Sequence, residues 1–367
     1  MSAHVAIVGS GLAGFTAYAT LRHGGLAPAD IEVVGPDADP AGSWRPRAEA
    51  IRQRRMRSES DGHCHPRSFP GLALRAARRR RTPRPLAETL ADRFNPSVEE
   101  FLEHVEELRA KTGWDESFRR GKVERVRPVS GGFELDGRGP YAHVLLALGH
   151  PGLAWPDDLR DDPRAVHAYE PHDYADEVEV VGAGMAAATE WLNALEAGAR
   201  VVSVRRRDPA RRPLNLPRQL FSRRGLAAYH RTDPHERVGL LRTWLAPSYP
   251  PGRRWDEPLE RAARGGRFVV AAEPNGAAQV ICATGFRRGF REHALLARLA
   301  DDTGVETAAD WIVLAPDSSV PSLTDETRTL ALAGVAGQWA FPGADTLVGA
   351  KYAARRFLRR VQACPTR

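Results

Sequence analysis

Apolar residues fall into two alternating rhythms along this chain. Mainly apolar runs of four or five, from about His4 to Val8 and at 31–34, 144–148, 178–181, 201–204, 268–271, 279–283 and 330–333, have the length of buried strands. Between several of them, apolar positions recur three and four apart, the spacing of one helix face. The clearest such stretch follows Ser97: Val98, Phe101, Leu102, Val105 and Leu108 lead to Gly113, and Ser97-Val-Glu-Glu100 matches a capping box. Residues 123–129 and 133–135, flanking Ser130-Gly131-Gly132, predict a hairpin and so a small β-layer. Further helices are predicted near 292–301 and from about Leu347. The Arg- and Pro-rich stretch 205–266 predicts short helices after Asp233-Pro234 and from Asp256, and an insertion shaping the substrate site is expected there.

One combination occurs twice. The first strand runs into Gly9-Ser10-Gly11-Leu12-Ala13-Gly14, a helical stretch to Gly24-Gly25 and the strand at 31–34. The strand at 178–181 runs into Gly182-Ala183-Gly184-Met185-Ala186-Ala187, a helix to about Glu196, Gly198 and the strand at 201–204, 173 residues further on. In such a unit the first glycine allows the tight turn and the second lets backbone approach a pyrophosphate. The third position packs helix against strand, while the helix N-terminus supplies amide donors. Two copies with correct flanks predict an α/β fold with two Rossmann-type dinucleotide-binding domains.

Composition changes this picture little. Apolar residues make up 42% and charged residues 27% of 367, ordinary globular values. The formal charge of +7 raises nucleic acid as a partner, but lysine is confined to Lys111, Lys122 and Lys351, so the excess is arginine in an Ala-, Gly- and Pro-rich chain. The densest run, Arg75 to Arg84, is interrupted by Pro83, lacks interleaved aromatics and predicts a solvated loop, with no nucleic-acid partner. Cys64, Cys282 and Cys364 are far apart and include no CxxC, against a disulfide scaffold or redox dithiol. No apolar run approaches the roughly 20 residues of a membrane span, and the first strand leaves no room for a leader, so a cytoplasmic location is expected. No GxSxG, HExxH or GxxxxGK[ST] pattern occurs.

With these motifs in view, the chain resembles the class B flavin-dependent monooxygenases, which include flavin-containing, N-hydroxylating and Baeyer–Villiger enzymes. Ala41-Gly42-Ser43-Trp44 is similar to that family's GGTW segment. Residues 144–151, with Gly149, and residues 280–286, with Thr284 and Gly285, resemble its two ATG-type turns. Gly182, Gly184 and Ala187 match its NADPH fingerprint, in which Ala replaces the last Gly. Residues 334–349, with Asp345, stand where the family closes over the flavin. The resemblance implies FAD held by Gly9, Gly11, Gly14, Asp37, Gly42, Trp44, Val123, Gly149, Thr284, Gly285 and Asp345. It implies an FAD-binding domain at 1–163 and 276–367 and, inserted between these parts, an NADPH-binding domain at 164–275.

Departures mark where the resemblance thins. The family's acidic residue at the end of the second strand is replaced by Gly35, with Asp37 two residues on. The family's FxGxxxH linker is reduced at 161–167 to its histidine, His167, which speaks against Baeyer–Villiger chemistry. Arg205 and Arg206 follow the second strand of the second copy, where a guanidinium pairs with a 2′-phosphate; a solvated turn is the plainer alternative. Arg57 and His63 are expected to face flavin or substrate, and His167 to act at the domain hinge. His63-Cys64-His65 lacks zinc-site spacing, so no metal is expected. The implied activity is FAD- and NADPH-dependent monooxygenation of a small amine or sulfur nucleophile by O2 through a C4a-(hydro)peroxyflavin. A flavin reductase without that adduct and a nucleotide-binding regulator stay open, as do the substrate's identity and a homo-oligomer.

Overall fold

The computed structural model describes residues 4–91, 93–212, 216–274 and 276–364. They form two compact units. The first takes the chain up to Trp44, then 54–149 and from Arg288 onward; the second takes 45–53 and 150–287, and is thus inserted into the first in sequence.

The first unit is built on a five-stranded parallel sheet in the order Thr329–Leu332, His143–Leu146, Val5–Val8, Ile31–Gly35, Phe118–Arg120. Its inner strands are buried on both faces, as Val5, Ile7, Val33 and Leu145 show, and so read as nearly continuous apolar runs, with Glu32 of Ile31–Gly35 half-buried. The helices Leu12–His23 and Leu347–Ala363 pack against one another beside this sheet. Phe15 and Tyr18 meet Trp114 edge to face, with centroids 5.1 and 5.2 Å apart. The expected hairpin is there, with a third strand: Val126–Val129, Gly132–Leu135 and Arg138–Tyr141 make an antiparallel sheet.

The helix Val98–Thr112 begins with the expected capping box. Ser97 Oγ accepts from the Glu100 N–H at 3.0 Å, and Glu100 Oε2 accepts from the Ser97 N–H at 2.9 Å. The arginine run is not the expected loop. Gly71–Arg80 is a helix and Arg84–Leu90 another, because Leu72, Ala73, Ala76 and Ala77 supply a buried helical stripe among the arginines. Arg75, Arg79 and Arg80 pair with Glu107, Glu103 and Glu100 at 2.6, 3.6 and 3.2 Å. Part of the basic charge is thereby balanced within the fold.

The second unit repeats the plan. Its parallel sheet runs Phe268–Ala271, Arg200–Val204, Glu177–Val181, Gln279–Cys282, Ala165–His167. The strand Gln279–Cys282 lies beyond the expected domain limit at 275, yet it is an interior strand of this sheet, with Val280, Ile281 and Cys282 fully buried. Residues 45–53 also belong here: Asn193 donates to the Ile51 carbonyl at 2.9 Å, and Arg52 lies 4.6 Å from the Tyr174 ring centroid. Nothing local in sequence reveals that docking. In the Arg-rich stretch the helices are Arg223–Arg231, Pro234–Trp244, capped by Asp233, and Arg253–Arg264. Among the described residues no helix is long and apolar enough to cross a membrane.

Ser97→Ala should cost about 1 kcal/mol of unfolding free energy in a denaturant titration, the usual value of a side-chain cap. Glu103→Gln, which loosens a pair whose Arg79 side chain is 58% exposed, should cost under about 0.5 kcal/mol.

Candidate functional site

In the first glycine turn the backbone comes too close for side chains at two places and is open at a third. Gly9, at φ +112°, would place a Cβ 2.3 Å from the Ala147 carbonyl oxygen, and Gly14 would place one 1.9 Å from the Gly9 oxygen. Around Gly11 nothing lies within 4 Å of that point. Gly11 also begins the helix Leu12–His23, which has neither a side-chain cap nor an acidic residue in its first turn. Uncapped amides beside open space fit a dinucleotide pyrophosphate.

The structure explains Gly35. A Cβ there would stand 2.2 Å from Ser10 Oγ and 2.7 Å from the Ser10 nitrogen, so the turn itself occupies the room of an acidic side chain. Asp37 lies half-buried in the next loop, where Oδ1 accepts from the Asp39 N–H at 3.1 Å. Gly42 lies close against it, so that a Cβ there would fall 2.3 Å from Asp37 Oδ2 and displace the carboxylate. Trp44 meets Phe101 edge to face at 5.3 Å, Val123 is buried just before the strand Val126–Val129, and Gly149 has open space about it.

The second turn has the same construction. Gly182, at φ +137°, would place a Cβ 2.5 Å from the Ala283 oxygen, Gly184 has only Pro247 at 3.9 Å, and Ala187 is wholly buried in the helix Met185–Glu196. That helix too lacks a side-chain cap. Arg205 leaves the neighbouring strand at the position matching Gly35; its guanidinium lies 5.2 Å from the Trp191 ring centroid and pairs with Asp208 at 3.0 Å. Arg206 is exposed. Thr284 Oγ1 donates to the Ala154 carbonyl, and the Ala154 N–H donates to Gly285 at 3.0 Å.

Two expected catalytic histidines are core residues. His167 is fully buried in the second unit between Trp155 and Tyr169, its Nδ1 accepting from the Tyr169 N–H at 3.2 Å. His63, in the first unit, is 2% exposed, with Nδ1 3.4 Å from the Lys351 ammonium. Neither faces open space. Arg57 is exposed, and Asp345 is exposed within the fields of Arg57 and Arg288.

Around His63 lies a polar staple that sequence reading missed. Glu59 accepts from the Leu72 and Ala73 N–H groups and so caps the helix Gly71–Arg80. Asp61 accepts from the Val348 N–H at 3.4 Å, at the start of the helix Leu347–Ala363. Lys351 returns from that helix to the Ser60 and His63 carbonyls at 2.6 and 3.2 Å. The one available signal was rarity: of three lysines Lys351 alone is buried. Burial lowers Lys351 to about 8, and burial with Lys351 and His104 alongside lowers His63 to about 3. Burial likewise lowers His104 and His143 to about 4, with Arg75 and His4 adding to the respective shifts. The Cys64 and Cys282 thiols are pushed up by burial to about 11 and 12, so neither is a ready thiolate. Among the described residues no group of three or more His, Cys, Asp or Glu is placed to hold a metal.

With this geometry established, the fold is similar to that of solved hydroxylase and reductase structures. Ornithine N-hydroxylase from Kutzneria sp. 744, solved with reduced FAD, NADP+ and L-ornithine, is 14% identical over 99% of each chain with a TM-score of 0.73. Ornithine hydroxylase from Pseudomonas aeruginosa is 15% identical over 98% of this chain and 100% of its own, TM-score 0.68. Bacillithiol disulfide reductase from Bacillus cereus is 14% identical over 98% of each, TM-score 0.58. At these identities the likeness establishes the fold. No family model and no curated protein matches the sequence.

Two predictions follow from the geometry. Gly11→Val should fold with an unchanged thermal midpoint, because its side chain enters open space, and should lose any dinucleotide whose pyrophosphate that space holds. Gly14→Ala should destabilise the protein itself, read by denaturation. The buried histidines set a pH dependence: His63, His104 and His143 stay neutral when native, whereas the unfolded chain takes up their protons below about 6.5. Their stability is complete above that pH and is lost as pH falls toward 4, by about 1.4 kcal/mol per histidine per pH unit. Denaturant titrations should show this loss between pH 6.5 and 4, with a shallower slope for His143→Leu.

Proposed function

We propose that this chain is an FAD- and NADPH-dependent monooxygenase that oxygenates a small amine or sulfur nucleophile with O2. One observation carries the reading: two glycine turns of the same construction differ at the neighbouring strand end, Gly35 in one and Arg205 in the other. A guanidinium there suits a 2′-phosphorylated coenzyme, and the turn without it suits FAD. In this reading Gly9, Gly11 and Gly14 hold the FAD pyrophosphate, with Asp37, Gly42, Trp44, Val123, Gly149 and Asp345 of the same unit about the rest of the flavin. Gly182, Gly184, Ala187, Arg205 and Arg206 hold NADPH.

Bound FAD would supply the hydride acceptor and the activation of oxygen. The chain's own part is to bind, orient and exclude water. With His63 and His167 enclosed by their own units, Arg57 is the expected catalytic residue left on an open surface. Full-length likeness to two ornithine hydroxylases supports an amine substrate.

Likeness to a disulfide reductase favours a second reading, a flavin reductase that forms no oxygenated product. The sequence offers it no CxxC dithiol, and Cys64 and Cys282 are free and buried. Oxygen consumption, peroxide release and product formation should be measured together, with NADPH and a panel of amines and thioethers. A monooxygenase converts consumed oxygen into oxygenated product with at least one of them. Oxygen recovered wholly as peroxide with every compound would remove the support for monooxygenation.

A further inference from the structure

We propose that Asp208 sets coenzyme discrimination by masking Arg205, so that a 2′-phosphate binds only by displacing the Asp208 carboxylate. The inference rests on the assignment of the second unit to NADPH and names the residue that tunes it.

Arg205 is held and Asp208 is not. The Arg205 N–H donates to the Ala271 carbonyl at 2.9 Å, which fixes its backbone between the strands Arg200–Val204 and Phe268–Ala271. Its side chain, only 13% exposed, lies over Trp191, a fully buried ring on the helix that starts at the second glycine turn. The guanidinium is thereby immobilised beside that turn. Its Nη2 meets Asp208 Oδ1 at 3.0 Å, while Nε is buried without a partner among the described residues. The Asp208 side chain is 87% exposed, three residues along the loop.

A fixed cation with a movable, solvated anion is an exchangeable pair. A phosphate offers more charge and more acceptor oxygens than a carboxylate, and it can engage the guanidinium through two hydrogen bonds. It therefore wins the exchange, with its net gain reduced by the ion pair it breaks. A nucleotide with a bare 2′-hydroxyl has no such claim and leaves Asp208 in place.

Calorimetric titration of the purified full-length chain with 2′,5′-ADP and with 5′-AMP tests this. Asp208→Asn should tighten 2′,5′-ADP by about two- to fivefold, the range an exposed ion pair supports, and leave 5′-AMP unchanged. The same substitution on an Arg205→Ala background should change neither, which separates masking from a structural effect of the loop. Unchanged or weakened 2′,5′-ADP binding by Asp208→Asn overturns the masking alone, provided the parent binds 2′,5′-ADP. A parent that binds neither nucleotide overturns the coenzyme assignment and the masking with it.

Discussion

The first unit depends on a crossing of backbones at Gly9. There the chain leaves a central strand and passes so close to the Ala147 carbonyl that a Cβ has no room. The crossing holds only in the register that sets Val5–Val8 between Ile31–Gly35 and His143–Leu146, and Gly14 then closes the helix onto Gly9. What the close approach leaves over is an uncapped helix start facing open space at Gly11. Amides without partners are stable only when hydrated or bound to an anion, so the packing that makes the fold also leaves a place suited to an anion. The same constraint recurs at Gly182 against Ala283.

From this common construction the two turns diverge at one position. In the first, Ser10 fills the space beside Gly35, and nothing charged projects from the strand end. In the second, Arg205 projects and is steadied by Trp191. A difference of one side chain in equivalent places is enough to give two similar modules different electrostatics.

The staple of Glu59, Asp61 and Lys351 serves a different end. A buried ammonium is costly, and here it is satisfied by two main-chain carbonyls of a loop that would otherwise have few regular hydrogen bonds. Two carboxylates of the same loop reach the starts of two helices. The loop and both helix ends are thus ordered together.

Much of the fold was legible because its signals are local. Strand runs, glycine turns and the Ser97 capping box depend on neighbours a few residues away, and each formed as its pattern predicts. The arginine run misled for the same reason: Pro83 and the charge were near at hand, whereas the glutamates that pair with Arg75, Arg79 and Arg80 lie 20 or more residues on. His63 and His167 read as reactive because a histidine's chemistry is visible in its letter and its burial is not. Lys351 contacts a loop 288 residues earlier in the chain, a proximity no spacing rule encodes. By itself the sequence determined where backbone must turn, cap and cross, since those demands fall on single residues and their immediate neighbours. Tertiary structure alone decided which charges are masked, which rings are enclosed and which amides stay open, because each of these depends on what distant segments bring to the same place.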